Sequence, residues 1–218
     1  MTEKEVQCCY CAKKTCFLGE LSNSPEFCPS KVAPEALAEA RDRLDDPEIR
    51  KYAQDVAKTW RGMAGKNRVE LTMEYAKNRG YKKLGLAFCV GLSKEAELLA
   101  NALINGGFEV ISASCMCGAL SSDDVALPEE DKIVSGNRQP MCNPIGQAAV
   151  LDRGGSELNI MLGLCVGDDV LFIKHSKAPV TVIGVKDFAL AHNPLGALYT
   201  AGGLFSRLNT RRPKKIEK

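Results

Sequence analysis

Two stretches of this chain end an apolar run in the same three residues: Leu86-Ala87-Phe88-Cys89-Val90-Gly91 and Leu162-Gly163-Leu164-Cys165-Val166-Gly167. Apolar runs this short, each followed by a capping residue (Ser93 in one, Asp168 in the other), read as buried strands that deliver their last residues to a sheet edge. Residues 84–88 and Leu158–Leu164 are therefore strands, and residues 108–113 and Val180–Val185 read the same way. Helical spacing at Ala96, Leu99, Ala100 and Leu103, stopped by Gly106-Gly107, separates the first two in sequence. Strands alternating with helices imply βαβ units with right-handed crossovers. The expectation is an α/β fold: a Rossmann-like open parallel sheet of about four strands in the order 2-1-3-4.

That sheet occupies an α/β domain over residues 81–208. Before it, residues 33–80 read as a helical region. Pro34 opens one helix, and Asp46-Pro47 gives the next an N-cap followed by proline at its first position. Ile49, Tyr52, Ala53, Val56 and Trp60 recur at spacings of three and four, which predicts a core-facing stripe; Val69, Met73 and Ala76 predict another before Asn78-Arg79-Gly80. Residues 116–141 carry no period and read as a functional flap or a tolerated insertion. Residues 209–218 form a basic tail around Arg211-Arg212-Pro213-Lys214-Lys215.

Composition narrows the chemistry. A net charge of +2 with no basic stripe gives no case for nucleic acid, and no stretch is long and apolar enough to span a bilayer. The charged start, Met1-Thr2-Glu3-Lys4-Glu5, lacks an apolar signal region, so the expected location is the cytoplasm. Ten cysteines in that reducing compartment point to metal ligation or redox catalysis rather than to disulfides. Neither a G-x-G-x-x-G loop nor a P-loop is present to favour nucleotide chemistry.

The cysteines fall into two sets. Cys8, Cys11, Cys16 and Cys28 form C-x2-C-x4-C-x11-C within residues 1–32, a segment with no periodicity of its own. A metal commonly substitutes for a core in such a segment. Zinc usually takes two close pairs, whereas cubane clusters accept uneven spacing and often end in Cys-Pro, as Cys28-Pro29 does. The spacing favours a 4Fe–4S cluster, with zinc as the alternative. A structural staple with no part in chemistry is the plainer reading.

In the second set Cys89, Cys115 and Cys165 each end an inferred strand, and Cys142 precedes a helix. Open parallel sheets bind ligands beyond the carboxyl ends of their strands, where strand order reverses. In the order 2-1-3-4 that point lies between the first and third strands, so Cys89 and Cys165 face each other, with Cys115 alongside. Helix N-termini nearby should lower thiol pKa values. Gly91 and Gly167 let the backbone approach a bound group. Cys142-Asn143-Pro144-Ile145-Gly146 is echoed by His192-Asn193-Pro194-Leu195-Gly196, with asparagine as cap and proline as first helical residue in both. Asn143 and His192 thereby join the candidate cofactor-binding residues, His192 as a ligand, a proton donor or a support to a ligand. Cys117 reads as a bystander. Asp168, Asp169, Lys186 and Asp187 read as helix caps, and His175 as exposed.

At these residues the chain resembles a family of uncharacterised, cysteine-rich metal-binding proteins of anaerobic prokaryotes, classed as a domain of unknown function. The resemblance spans nearly the whole chain. It rests on Cys8, Cys11, Cys16 and Cys28-Pro29, on residues 85–92, on Cys142-Asn143-Pro144-Ile145-Gly146-Gln147-Ala148, on Gly163-Leu164-Cys165-Val166-Gly167, on Ala178-Pro179-Val180-Thr181 and on His192-Asn193-Pro194. It implies metal binding and two cysteine sets, without an established reaction. The chain departs from the family pattern at Asp168, where histidine is usual, and at Met116, where lysine is usual, so no catalytic role is carried to either position.

Three readings of function stand. One is an iron–sulfur protein, with one cluster or two, in electron transfer or sulfur and redox chemistry, serving a redox partner protein or a small-molecule substrate at the sheet edge. The others are a zinc-binding structural or regulatory module, and a thiol redox or metal-carrier protein.

Overall fold

The computed structural model describes residues 6–209. The charged start and the basic run Arg211-Arg212-Pro213-Lys214-Lys215 lie outside the described residues. The chain divides into a smaller unit up to Gln54 and a larger one over Asp55–Leu208.

The smaller unit opens with three short 3-10 turns, Cys8–Tyr10, Thr15–Leu18 and Leu21–Asn23, before helices α1 (Pro29–Val32) and α2 (Pro34–Asp42). Proline stands in the first turn of both helices, where its missing N–H costs nothing. Helix α3 (Pro47–Arg61) runs from this unit into the next. The Asp46 carboxylate accepts the N–H groups of Glu48 and Ile49 at 2.7 and 3.3 Å, as the Asp-Pro start predicts.

In the larger unit four strands, β1 (Lys83–Phe88), β2 (Glu109–Ser114), β3 (Leu158–Leu164) and β4 (Val180–Val185), form one parallel sheet in the order β2-β1-β3-β4. Both the strands and their order match the expectation from sequence. Alternation decides the layers. Leu84, Leu86, Leu158, Ile160 and Leu162 turn to one face, where α4 (Arg68–Arg79) and α5 (Ser93–Asn105) cover them with Ala76, Ala96, Leu99 and Leu103. Ala87, Ala113 and Met161 turn to the other, against Ala148 and Leu151 of α6 (Pro144–Arg153) and Phe172 of α7 (Asp168–His175). Each fully buried leucine contributes about 1.5–3 kcal/mol relative to exposure.

Strand β3 changes faces at its end. Leu164 packs with the α6–α7 layer although Leu158, Ile160 and Leu162 pack with the other. Gly163, at φ +70°, makes that reversal, and the β3–β4 register slips around it. A Cβ on Gly163 would also meet Leu92 Cδ1 at 2.1 Å.

The stripe expected on α3 is a correction. Trp60 is 68% exposed, and Ile49 and Val56 are also exposed. The inward residues are polar: Asp55 is fully buried, ion-paired with Arg79 at 3.1 Å and Lys58 at 3.2 Å, and Thr59 accepts from Asn78 Nδ2 at 3.1 Å. The hydrogen-bonding demand of a buried carboxylate turns that face in. Val56 and Trp60 instead line, with Met63, Leu71, Tyr75 and Val180, a groove of about 340 Å³ beside the start of β4. The second stripe packs as expected, with Ala76 buried and Val69 and Met73 half-buried against the core.

Candidate metal centre

The two central strands end at Phe88 and Leu164, and β1 and β3 lead to their partners in opposite directions, so the switch point lies between Cys89 and Cys165. Cys89 N–H donates to Leu162 O at 3.1 Å and Cys115 N–H to Phe88 O at 2.8 Å, which carries the ladder one residue past each strand. Cys142 arrives from the long β2–α6 connection. Asn143 N–H donates to Cys115 O at 2.7 Å, and Asn143 Nδ2 to Cys117 O at 3.1 Å. Asn143 Oδ1 in turn accepts Gly146 N–H at 2.8 Å, capping α6. Asn143 thus positions Cys115, Cys117 and Cys142 together.

That connection is closed at its base by Ser122 N–H to Gln139 O, 2.8 Å, and Met141 N–H to Leu120 O, 2.9 Å. Its tip is held by Lys132 against Asp123 and Glu129. The Glu129 carboxyl is held down at about 2, chiefly by Lys132, with the Gly136 amide and Ser135 hydroxyl adding. This is a compact, self-packed loop.

Beneath the thiols lies Gln147, fully buried. Its Nε2 donates to Ala113 O at 2.7 Å and Phe88 O at 3.2 Å, joining the tips of β2 and β1. Its Oε1 is the one buried side-chain oxygen or nitrogen without a partner among the described residues. The sequence reading passed over it, because a glutamine in the first turn of a helix has no distinguishing signal.

The side chains at this edge interact in a circuit. Cys115 interacts with Cys89 and Cys142, and Cys142 with the Asp168 carboxylate. Asp168 and Cys89 both lie within charge range of Cys165. Val90 N–H also donates to Cys115 Sγ at 3.3 Å. Burial is the first cause that pushes the thiols of Cys115, Cys117, Cys142 and Cys165 up; for Cys142 and Cys165 the Asp168 carboxylate comes next. The lowering expected from helix N-termini does not prevail at these four, because desolvation of an anion outweighs a partial dipole charge. Cys117, read as a bystander, is close enough to Cys115 for the two charges to interact.

Other expectations need correction. Neither Asp168 nor Asp169 is the cap of α7, which is Gly167; Asp169, inside the first turn, accepts Gly167 and Val170 N–H at 2.9 and 2.8 Å, which leaves Asp168 to the thiols. Ser93 donates to Val90 O rather than capping α5 with its side chain. The echo at 192–196 is partial: α8 (Leu195–Tyr199) has no side-chain cap, and Asn193 contributes only its carbonyl, to Gly196 N–H. His192, at φ +63°, accepts Asp187 N–H on Nδ1 at 3.1 Å, so Nε2 carries the ring proton. Its ring lies 6.3 Å from the Phe188 ring. Gly167, at φ +93°, makes the turn into α7.

In the smaller unit Gln7 N–H donates to Phe27 O at 3.4 Å, bringing the residues next to Cys8 and Cys28 together. Cys11 N–H closes a turn on Cys8 O, and Gly19 N–H one on Cys16 O. The Cys28 thiol is lowered, first by the Ser30 amide. All ten cysteines are free. Among the described residues no three His, Cys, Asp or Glu side chains converge tightly enough to share a single metal ion.

Residues 28–183 match the profile of a family described as a protein of unknown function (DUF1847). The chain belongs to this family. A relative from Methanocaldococcus jannaschii, named only as uncharacterized protein MJ0455, is 38% identical over 196 residues, covering 89% of this chain and 94% of its own. The family match takes in Cys28 and the whole sheet-edge set, from Cys89 to Cys165. Cys8, Cys11, Cys16 and His192 fall outside the matched residues.

Proposed function

We propose that the sheet-edge cysteines hold an iron–sulfur centre of the 4Fe–4S type and that the protein acts in electron transfer or in sulfur and redox chemistry. The observation that carries this reading is the gathering of Cys89, Cys115, Cys142 and Cys165, with Asp168, at one sheet edge, each near enough to the next to act on it through charge. A mononuclear zinc site needs its donors around a single centre, whereas a cluster takes one thiolate at each of several irons. The donor chemistry fits: four thiols at one sheet edge. Cys89, Cys115, Cys142 and Cys165 would be the ligands, and a bound cluster would supply one-electron chemistry and an iron able to polarise a ligand.

The chain's own contribution is position and exclusion of water. Gln147 ties the strand tips that carry Cys89 and Cys115, and Asn143 ties Cys115 to Cys142. Cys8, Cys11, Cys16 and Cys28 are the second candidate set. A redox protein or a small molecule reaching the half-exposed Cys165 is the corresponding partner.

The test is anaerobic purification followed by iron, zinc and acid-labile sulfide analysis of the full chain and of two variants. Iron and sulfide in comparable amounts support the reading. Cys165→Ser should remove one centre's share of iron, and Cys11→Ser should leave that share in place. Stoichiometric zinc without sulfide, or full iron in the Cys165→Ser variant, would end it.

A further inference from the structure

The groove beside the start of β4 lies at the amino end of the sheet, about 20 Å along β3 from the cysteines at the other end. Its volume, about 340 Å³, falls at the lower end of the range for small-molecule sites. An apolar cavity of about 150 Å³ accepts benzene, so there is room here for a ring and a short chain. Flat apolar walls come from Trp60 and Tyr75, and Met63 adds an adaptable thioether. Tyr75 is braced edge-on by Tyr81, with ring centroids 6.4 Å apart. Trp60 and Met63 are both more than half exposed, so this apolar surface is uncovered.

The lining holds one charged side chain, Arg68, and no acidic one. Arg68 stands at the first position of α4, where the helix dipole disfavours a cation. Its Nη2 donates to Thr181 Oγ1 at 3.0 Å, which fixes the guanidinium against β4 and leaves its other N–H groups without an acceptor among the described residues. Neighbouring carboxylates are committed elsewhere: Glu70 accepts Asn67 N–H at 2.7 Å, Glu74 pairs with Lys66, and Asp55 pairs with Arg79 and Lys58. Thr59 and Thr72 turn their hydroxyls into their own helices, toward Asp55 O and Arg68 O. The charge left unanswered in this apolar groove is therefore a positioned cation. We propose that the groove binds a small aromatic monocarboxylate, with its ring against Trp60 and Tyr75 and its carboxylate on Arg68. A planar carboxylate matches the guanidinium fork, and a lining with one cation suits one negative charge. The site stands apart from the cysteine centre and does not depend on what that centre holds.

The test uses the full chain as isolated, with hydrocinnamate as the probe and its neutral amide as the comparison. Trp60 is the chain's single tryptophan, so its emission reports on the groove without labelling, and calorimetry gives the affinity independently. The acid should shift Trp60 emission to the blue in a saturable way and bind at least about tenfold more tightly than the amide. Arg68→Met should remove that preference and leave the amide's affinity in place, which shows that the groove is still formed. Arg68→Lys should keep part of the preference, carried by charge without the fork. Equal affinities for acid and amide in the unaltered chain, a preference that survives Arg68→Met, or no saturable shift would overturn the proposal. So would a dimer in sedimentation that Trp60→Ser breaks, since the groove would then belong to a second copy. Octanoate binding as tightly as hydrocinnamate would overturn the choice of an aromatic body. Neither iron nor zinc at the cysteines bears on these outcomes.

Discussion

Replacing Arg79 by methionine tests whether the polar face of α3 is held by one buried ion pair. Asp55 is fully buried, and the Arg79 side chain is 11% exposed, with Nη1 and Oδ2 3.1 Å apart. Methionine keeps much of the stem's volume and removes the charge. Breaking a buried pair by deleting one partner costs about 3–5 kcal/mol, because the survivor keeps its desolvation penalty. Lys58 stays at 3.2 Å but is 58% exposed, so it screens rather than replaces the guanidinium, and the expected cost is about 3 kcal/mol. For a chain of this size that is a fall in Tm of about 6–12 °C, readable by calorimetry or urea titration. Asp55→Leu combined with Arg79→Met should recover most of the loss, since neither charge is then stranded. A single-variant cost under about 1 kcal/mol, or a double variant as unstable as the sum of the singles, would refute the argument.

Gly163→Ala should destabilise by about 3 kcal/mol in chemical denaturation, combining a left-handed residue with a methyl driven into Leu92; a change under about 1 kcal/mol would mean that β3 need not turn over there. Glu129 predicts an acid response of the β2–α6 loop. Its folded pKa lies below the ordinary value of 4.5, at about 2, so the carboxylate's contribution is complete above 4.5 and fades as pH falls toward 2. The protection of the Gly136 amide, its exchange rate divided into the intrinsic rate at the same pH, should therefore fall across that window because its N–H donates to Glu129 Oε2, and Glu129→Gln should make that protection independent of pH.

The sheet was legible because its evidence is local. Four short apolar runs, each ended by glycine, cysteine or a polar residue, need no knowledge of what they pack against, and their order follows from connection rules. The cap at Asn143-Pro144 was legible for the same reason. What failed depended on partners distant in sequence. Asp55 is inward because Arg79 meets it from another helix, while the apolar residues beside it read as a better stripe than they are. Asn193 repeats the letters of Asn143 without the acceptor geometry, since α8 begins a residue later. Asp168 and Asp169 are indistinguishable as caps until one carboxylate is seen on the amides and the other beside Cys142. Lys186 reads as a helix cap from its sequence, and only the pairing of β4 with β3 shows it beside the tip of β3.

The peptide that turns at Gly163 makes the two Cys-Val-Gly tripeptides unlike in use. Cys89 leaves β1 on the side that packs with α6 and α7 and is nearly sealed; Cys165 leaves β3 after the reversal and stays half open. A reagent from solvent therefore meets the second copy far more readily than the first. Identical letters have become one sulfur offered to solvent and one withheld from it.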